Sequence, residues 1–299
     1  MKIPTEPLAL LRSVNIDPAG IRQVTCIHRK AGRRLYRIVC DGGSMIIKWF
    51  ADGVDSVEMR GYALLESLGV PTLPVHGRSD NALVLEDLAS SGTWRLATEA
   101  DSDCSAVGQA VARWYLALHE AGRKLLGGPG ETLAFLRREE ERLDSKTVLA
   151  MGEKLDLGHL PVWRLCADQI ETLKEAIRAL PETTLTYNDF HWTNLAVTRA
   201  TAAPLRAVVF DYHLLGIGMA YSDSRNVLGS LRGTAAAAFK ETYGPFDQRQ
   251  ALLDAPVSVL VALKEGLKRQ RLPCWARGLI EVATNGQLEN SVRRALDVI

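Results

Sequence analysis

One stretch constrains this chain more than any other: Leu185-Thr186-Tyr187-Asn188-Asp189-Phe190-His191-Trp192-Thr193-Asn194-Leu195-Ala196-Val197. It sets Asp189 and Asn194 in a D-x-x-x-x-N spacing, and a β-rich run starts straight after the amide. A second apolar run, Val208-Val209-Phe210, ends in Asp211. Residues 195–198 and 206–211 read as two arms of a hairpin, with a loose TRATAAP connection between them. Such a hairpin returns Asp211 to the side of Asn194. A carboxylate that orients a hydroxyl and takes its proton, next to two oxygen ligands for a hard cation, is the equipment of phosphoryl transfer. The D-x-x-x-x-N spacing alone is common. Turn or cap roles are the plainer readings of Asp189, Asn194 and Asp211.

Further support lies upstream. Residues 21–28 and 34–40 are rich in β-branched and aromatic side chains, and Asp41-Gly42-Gly43 marks a turn into a third strand, 44–50. Lys48 sits inside that strand, within Met45-Ile46-Ile47-Lys48-Trp49. An isolated Lys there is either an edge guard or faces a ligand. From Ser56 to Leu68 the period changes to that of an amphipathic helix, ended by Gly69 and Pro71, with Glu58 near its start. A strand Lys aligned by a helix Glu can contact phosphates. Residues 81–86 form one more short apolar strand.

The rest of the chain reads as helical over 105–121, 131–145, 163–180 and from about 224 onward. The Arg-Glu-Glu-Glu-Arg run at 138–142 suits a solvated helix face. The expectation is an α+β fold: an N-terminal lobe over 1–88 with a small antiparallel sheet and one helix, and a larger, mainly helical lobe over 89–299. His119 reads as a structural histidine and His191 as a brace of its loop.

Composition removes other classes. The formal net charge of the 299 residues is +1, so no basic excess points to nucleic acid. Five scattered cysteines without a close pair argue against a zinc site or disulfide framework and for a reducing compartment. The first residues lack the apolar core of a signal peptide, and no apolar run of ~20 residues suits a membrane span. A soluble, cytoplasmic protein is expected.

These pieces, in this order, resemble the aminoglycoside phosphotransferase and choline kinase superfamily, with its protein-kinase-like fold. The resemblance runs from about residue 20 to about 225. Glu58 to Pro71 (EMRGYALLESLGVP) is similar to that family's Glu-helix and Gly-Val-Pro turn. Leu83-Val84-Leu85-Glu86-Asp87-Leu88 resembles its adenine-gripping hinge, Leu116-Ala117-Leu118-His119 a recurring helix, and Gly218 to Asp223 (GMAYSD) the stretch after its metal Asp.

The resemblance implies a bilobal kinase that binds ATP and Mg2+ and phosphorylates a hydroxyl of a small molecule. Asp189 would be the catalytic base and Asn194 and Asp211 the metal ligands. Lys48, Glu58, Gly32, Glu86 and Leu88 would serve the nucleotide. No long activation segment follows Asp211, which argues against protein substrates.

Two departures stand out. The usual His-Gly-Asp is Tyr187-Asn188-Asp189, and the phosphate-covering loop carries Gly32 as its one glycine, among Arg29, Lys30, Arg33 and Arg34. Both lend support to a rival reading, a nucleotide-binding pseudokinase serving as a regulatory or scaffold module. From residue 245 onward basic residues outnumber acidic ones, which tilts the expected acceptor from a polycationic aminoglycoside toward a less cationic hydroxyl compound.

Overall fold

The computed structural model describes residues 5–14, 16–17, 20–30, 32–51, 57–128, 133–199 and 204–299. In chain order the elements are α1 (Thr5–Ser13), β1 (Ile21–Lys30), β2 (Arg33–Cys40), β3 (Gly43–Phe50), α2 (Val57–Ser67), β4 (Val75–Arg78), β5 (Ala82–Glu86), β6 (Trp94–Leu96) and α3 (Ser105–Leu126). Then follow β7 (Arg137–Arg138), α4 (Ser145–Lys154), α5 (Pro161–Arg178), β8 (Thr183–Thr186), β9 (Leu195–Thr198), β10 (Ala207–Val209) and β11 (Gly216–Met219). The chain ends in α6 (Ala220–Ser230), α7 (Gly233–Tyr243), α8 (Gln248–Leu267), α9 (Cys274–Thr284) and α10 (Gln287–Leu296). The α+β expectation holds: an antiparallel sheet near the N-terminus and a mostly helical remainder. Helix α1 and strand β4 add to it; α1 carries a weak apolar pattern, and β4 has only four residues.

Two compact units divide the chain. The first gathers residues 1–118, 189–215 and 226–243. Its sheet runs β1-β2-β3-β5-β4, antiparallel throughout. Alternation along the strands separates two faces. Tyr36, Ile38, Ile47, Ala82 and Val84 pack with Leu10, Leu11 and Val14 of α1 into one core. On the other face Leu35 pairs with Lys48 and Arg37 with Ile46, so these four side chains share a side. A smaller sheet, β10-β9-β6, holds the predicted hairpin, with Ala207 opposite Val197 and Val209 opposite Leu195.

Helix α2 lies close to the turn after β10. A Cβ on Gly61 would come within 3.1 Å of Leu215 and 3.2 Å of Tyr212, tighter than ordinary contact, so those side chains would have to give way. The adjacent Tyr62 meets Tyr212 edge to face at 4.6 Å. This packing fixes where Glu58, one turn earlier, points.

The second unit gathers 119–188, 216–225 and 244–299. Pro161 opens α5 at a position where its missing N–H costs nothing. The buried Val162, Trp163, Cys166, Ile170, Leu173 and Ile177 then recur at helical spacing. Against them pack Leu253, Val257 and Leu260 of α8 and Leu288 and Val292 of α10. Asp144 caps α4 by accepting the Thr147 N–H at 2.6 Å, and Asp247 caps α8 through Gln250 N–H at 2.9 Å.

The predicted helix over 131–145 is not there. Residues 131 and 132 lie outside the described residues. From 133 to 144 the chain makes a turn, the short β7, which pairs with Gly216 and Ile217, and one 3-10 turn over 140–142. The Asp144 cap then starts the α-helix at Ser145. The charged run is not a solvated helix face either. Glu140 is only 3% exposed and lies 3.7 Å from Arg138, and Glu139 lies 3.8 Å from Arg225. Burial pushes both glutamate carboxyls up. Glu139 meets Arg225 from far along the chain and Glu140 is buried beside Arg138, neither of which a helical-period reading of the segment registers.

Candidate active site

The first unit contains a cleft of about 590 Å³. Leu35, Ile46, Leu73 and Leu85 give it an apolar wall, and Glu86, Asp87 and Leu88 border it along the segment after β5. The Glu86 N–H already donates to Pro74 O at 3.1 Å. Lys48, Glu58, Asp211 and His213 line the same cleft. Gly32 sits at the β1–β2 turn with φ +72°, a backbone state that glycine adopts without strain, and its neighbours Lys30 and Arg33 line the cleft.

Lys48 stands at the centre. Its Nζ donates to Glu58 Oε1 at 2.8 Å and to Asp211 Oδ1 at 2.8 Å. Strand β3 places the amine, α2 the glutamate and the turn after β10 the aspartate. Burial opposes the ammonium charge, but Glu58 and Asp211 outweigh it and raise the Lys48 pKa. For Glu58, 2% exposed, burial wins over the pull of Lys48 and pushes the carboxyl up. Asp211 feels burial too, yet the hydrogen bond from His213 and the charge of Lys48 hold it far below the ordinary carboxylate range.

Asp211 also has φ +69° and ψ +63°, an unusual state for a residue with a side chain. It turns the chain sharply at the end of the strand. The Phe210 N–H donates to Asn194 O at 3.0 Å, which fixes the two metal-ligand candidates beside each other.

Asp189 and Asn194 form the second group. Asn194 Nδ2 donates to Asp189 Oδ2 at 3.1 Å and to its carbonyl at 3.3 Å. With the amide nitrogen turned to Asp189, Oδ1 remains as the acceptor of Asn194. His191 braces the loop: its Nδ1 lies 2.8 Å from Thr193 Oγ1 and accepts the Thr193 N–H at 3.3 Å. Burial raises the Asp189 pKa, partly offset by the charge of His213.

His213 joins the groups, with Nδ1 3.2 Å from Asp211 Oδ1 and 3.9 Å from Asp189 Oδ2. Burial alone would favour neutral imidazole, but the two aspartates prevail and its pKa is raised. One donor atom each from Asp189, Asp211 and His213 lies within 4.8 Å of the others. An ionised carboxylate with an amide oxygen alongside fits a hard divalent cation.

In the second unit, the two residues that precede Asp189 in the chain are anchored by Asp223. Its carboxylate accepts the Tyr187 N–H at 2.9 Å and the Asn188 N–H at 2.8 Å, and meets His119 Nε2 at 3.1 Å. Asp223 is wholly buried and His119 1% exposed, so His119 is structural as the sequence suggests. Asn188 has φ +63°. Among residues with a side chain, Asn tolerates that state best, which explains physically why it can stand where the resembled motif has Gly. Tyr187, fully buried, fills the place of the motif's His.

Sequence reasoning gave no role to Asp223 or to His213. The G-x-x-x-x-D spacing was the available signal for the first; for the second, only its place two residues after Asp211. It also missed Arg37, whose Nε lies 2.6 Å from Asp87 Oδ2 at the cleft edge. Asp87 further accepts from Ser44 Oγ at 2.6 Å and Ala89 N–H at 3.0 Å, and despite burial these bonds draw its pKa down.

No protein-family model and no curated protein matches the chain. Solved structures do. A choline/ethanolamine kinase family protein from Mesorhizobium loti superposes with a TM-score of 0.62 at 10% identity, over 97% of this chain and 98% of that one. Spectinomycin phosphotransferase, solved with ADP and spectinomycin, gives 0.57 at 14% identity over 100% and 99%. Plasmodium vivax ethanolamine kinase gives 0.56 at 11% over 90% and 84%. The fold is that of the small-molecule kinases. Within this fold Lys48, Glu58 and Asp211 share one ion group, and Asp189 pairs with Asn194.

Proposed function

We propose that the chain is an ATP- and magnesium-dependent phosphotransferase that moves the γ-phosphate to a hydroxyl of a small molecule. The observation that carries this reading is the Lys48–Glu58–Asp211 ion group in the cleft, with the Asp189–Asn194 pair next to it across His213, which lies 3.9 Å from Asp189. In this reading residues 1–88 make the nucleotide-binding lobe and 89–299 the catalytic and acceptor-binding lobe. The apolar wall of Leu35, Ile46 and Leu85 takes the base, with backbone groups at Glu86 to Leu88 as hydrogen-bond partners, and Gly32 lets the covering turn close. Lys48, aligned by Glu58, holds the phosphates.

Asn194 and Asp211 would hold the magnesium ion, which supplies charge neutralisation at the phosphate oxygens. Asp189 orients the acceptor hydroxyl and takes its proton as the oxygen bonds to the γ-phosphorus and the bond to the ADP oxygen breaks. Positioning and charge stabilisation carry the rate. The five cysteines are free and no helix among the described residues is long and apolar enough to cross a membrane, which supports a cytoplasmic setting. The acceptor is a neutral or weakly cationic hydroxyl compound, an antibiotic or a metabolite.

A pseudokinase would retain the cleft and lose the transfer. Magnesium-dependent ATP consumption, screened against antibiotics and hydroxylated metabolites, tests the choice. Stimulation by one acceptor class supports the kinase. Nucleotide binding without turnover on any acceptor supports the scaffold.

A further inference from the structure

The β1–β2 hairpin is built in a way that folding alone does not explain. Its register sets Arg29 opposite Arg34 and Lys30 opposite Arg33. Like charges directly across an antiparallel pair are destabilising, and here two successive pairs are cationic. The charges are not dispersed in solvent. Lys30, Arg33 and Arg34 line the cleft that also holds Lys48, together with His28. Arg33 also lies over the Phe50 ring at 5.9 Å and Arg34 over Trp49 at 4.8 Å.

Two further cations of the cleft already face carboxylates. Lys48 faces Glu58 and Asp211, and Arg37 faces Asp87. Among the described residues, Lys30 and Arg33 meet no carboxylate. The backbone cannot take over the work. Only residues 31 and 32 separate the paired Lys30 and Arg33, so the hairpin closes too tightly to offer the row of free amides that a phosphate-cradling loop presents.

We propose that the side chains of Lys30 and Arg33 bind the polyphosphate of the nucleoside triphosphate, in place of the amides of a glycine-rich loop. The inference rests on reading the cleft as a nucleotide site, and adds that recognition of the phosphate chain is by side-chain charge. It follows that affinity rises steeply with phosphate number and falls with salt.

Titration calorimetry of ATP, AMP, adenosine and inorganic tripolyphosphate tests it, on the wild type, the Lys30→Gln/Arg33→Gln pair and the charge-keeping Lys30→Arg/Arg33→Lys pair. The neutral pair should lose roughly tenfold or more in ATP affinity, flatten the salt dependence and leave adenosine affinity within about twofold. Tripolyphosphate should compete with ATP on the wild type, and the charge-keeping pair should bind ATP like the wild type. Both pairs are checked by thermal melting, and an equal loss of ATP affinity in both overturns the proposal. Wild-type ATP affinity and salt slope in the neutral pair also overturn it, while leaving the nucleotide site standing. A wild type that binds neither ATP nor adenosine overturns both.

Discussion

Lys48 Nζ lies 2.8 Å from Asp211 Oδ1, although 163 residues separate the two in the chain. Glu58 completes the contact from the other side at 2.6 Å. In the kinase reading proposed above, an incoming phosphate would displace one of these carboxylates from the lysine. Lys48→Ala should lower kcat/KM about 100-fold or more, since a preorganised cation at the developing charge is lost. Glu58→Gln should cost less, because Asp211 still holds the amine. Steady-state kinetics on both variants checks the ranking; equal losses would show that Glu58 does more than align Lys48.

Asn188, at φ +63°, carries a backbone state that β-branched residues resist. Asn188→Gly should be neutral within about 1 kcal/mol, whereas Asn188→Val should destabilise by about 2 kcal/mol. Urea unfolding of the two variants measures the difference directly.

Asp223 accepts two buried backbone N–H groups and meets His119. Asp223→Ala should destabilise by roughly 3–5 kcal/mol, because the donors stay buried without partners. Asp223→Asn, which keeps an acceptor oxygen, should lose less. Denaturant midpoints with an unchanged m-value would show that the change acts on stability rather than on compactness.

Much of this was legible in the sequence, and the reasons differ by element. Strands β1 to β3 and helix α2 follow from period and turn signals, and Lys48 stood out as a charge in an apolar strand. Asp189, Asn194 and Asp211 were marked by spacing and by a hairpin short enough to close locally. The charged run at 138–142 was misread because its partner Arg225 lies far along the chain, and pattern carries no information on such pairs. Arg37–Asp87 was hidden for the same reason, and β4 by its shortness.

Asp101 offers a test by pH. Its hydrogen bonds with Arg95, 2.7 and 2.8 Å, outweigh burial, and with the Thr98 N–H and hydroxyl they lower the carboxyl from 3.8 to about 2. A pKa depressed on folding stabilises above the unfolded value and loses that contribution as pH falls through the folded one. Wild type should thus exceed Asp101→Asn in stability at neutral pH, and the gap should close between pH 3.8 and about 2. Urea melts across that window read the gap; one that persists at the acid end would place the effect of the substitution elsewhere.

The most direct test of the central claim is transfer of labelled γ-phosphate from ATP to hydroxyl acceptors by the wild type and by Asp189→Asn, with ATP affinity measured in parallel. The wild type should label an acceptor in a magnesium-dependent manner. Asp189→Asn should transfer about 100-fold or more slowly while binding ATP within about twofold of wild type. Full transfer by Asp189→Asn would remove Asp189 as the base, and intact ATP binding with no transfer by the wild type would contradict the kinase reading itself.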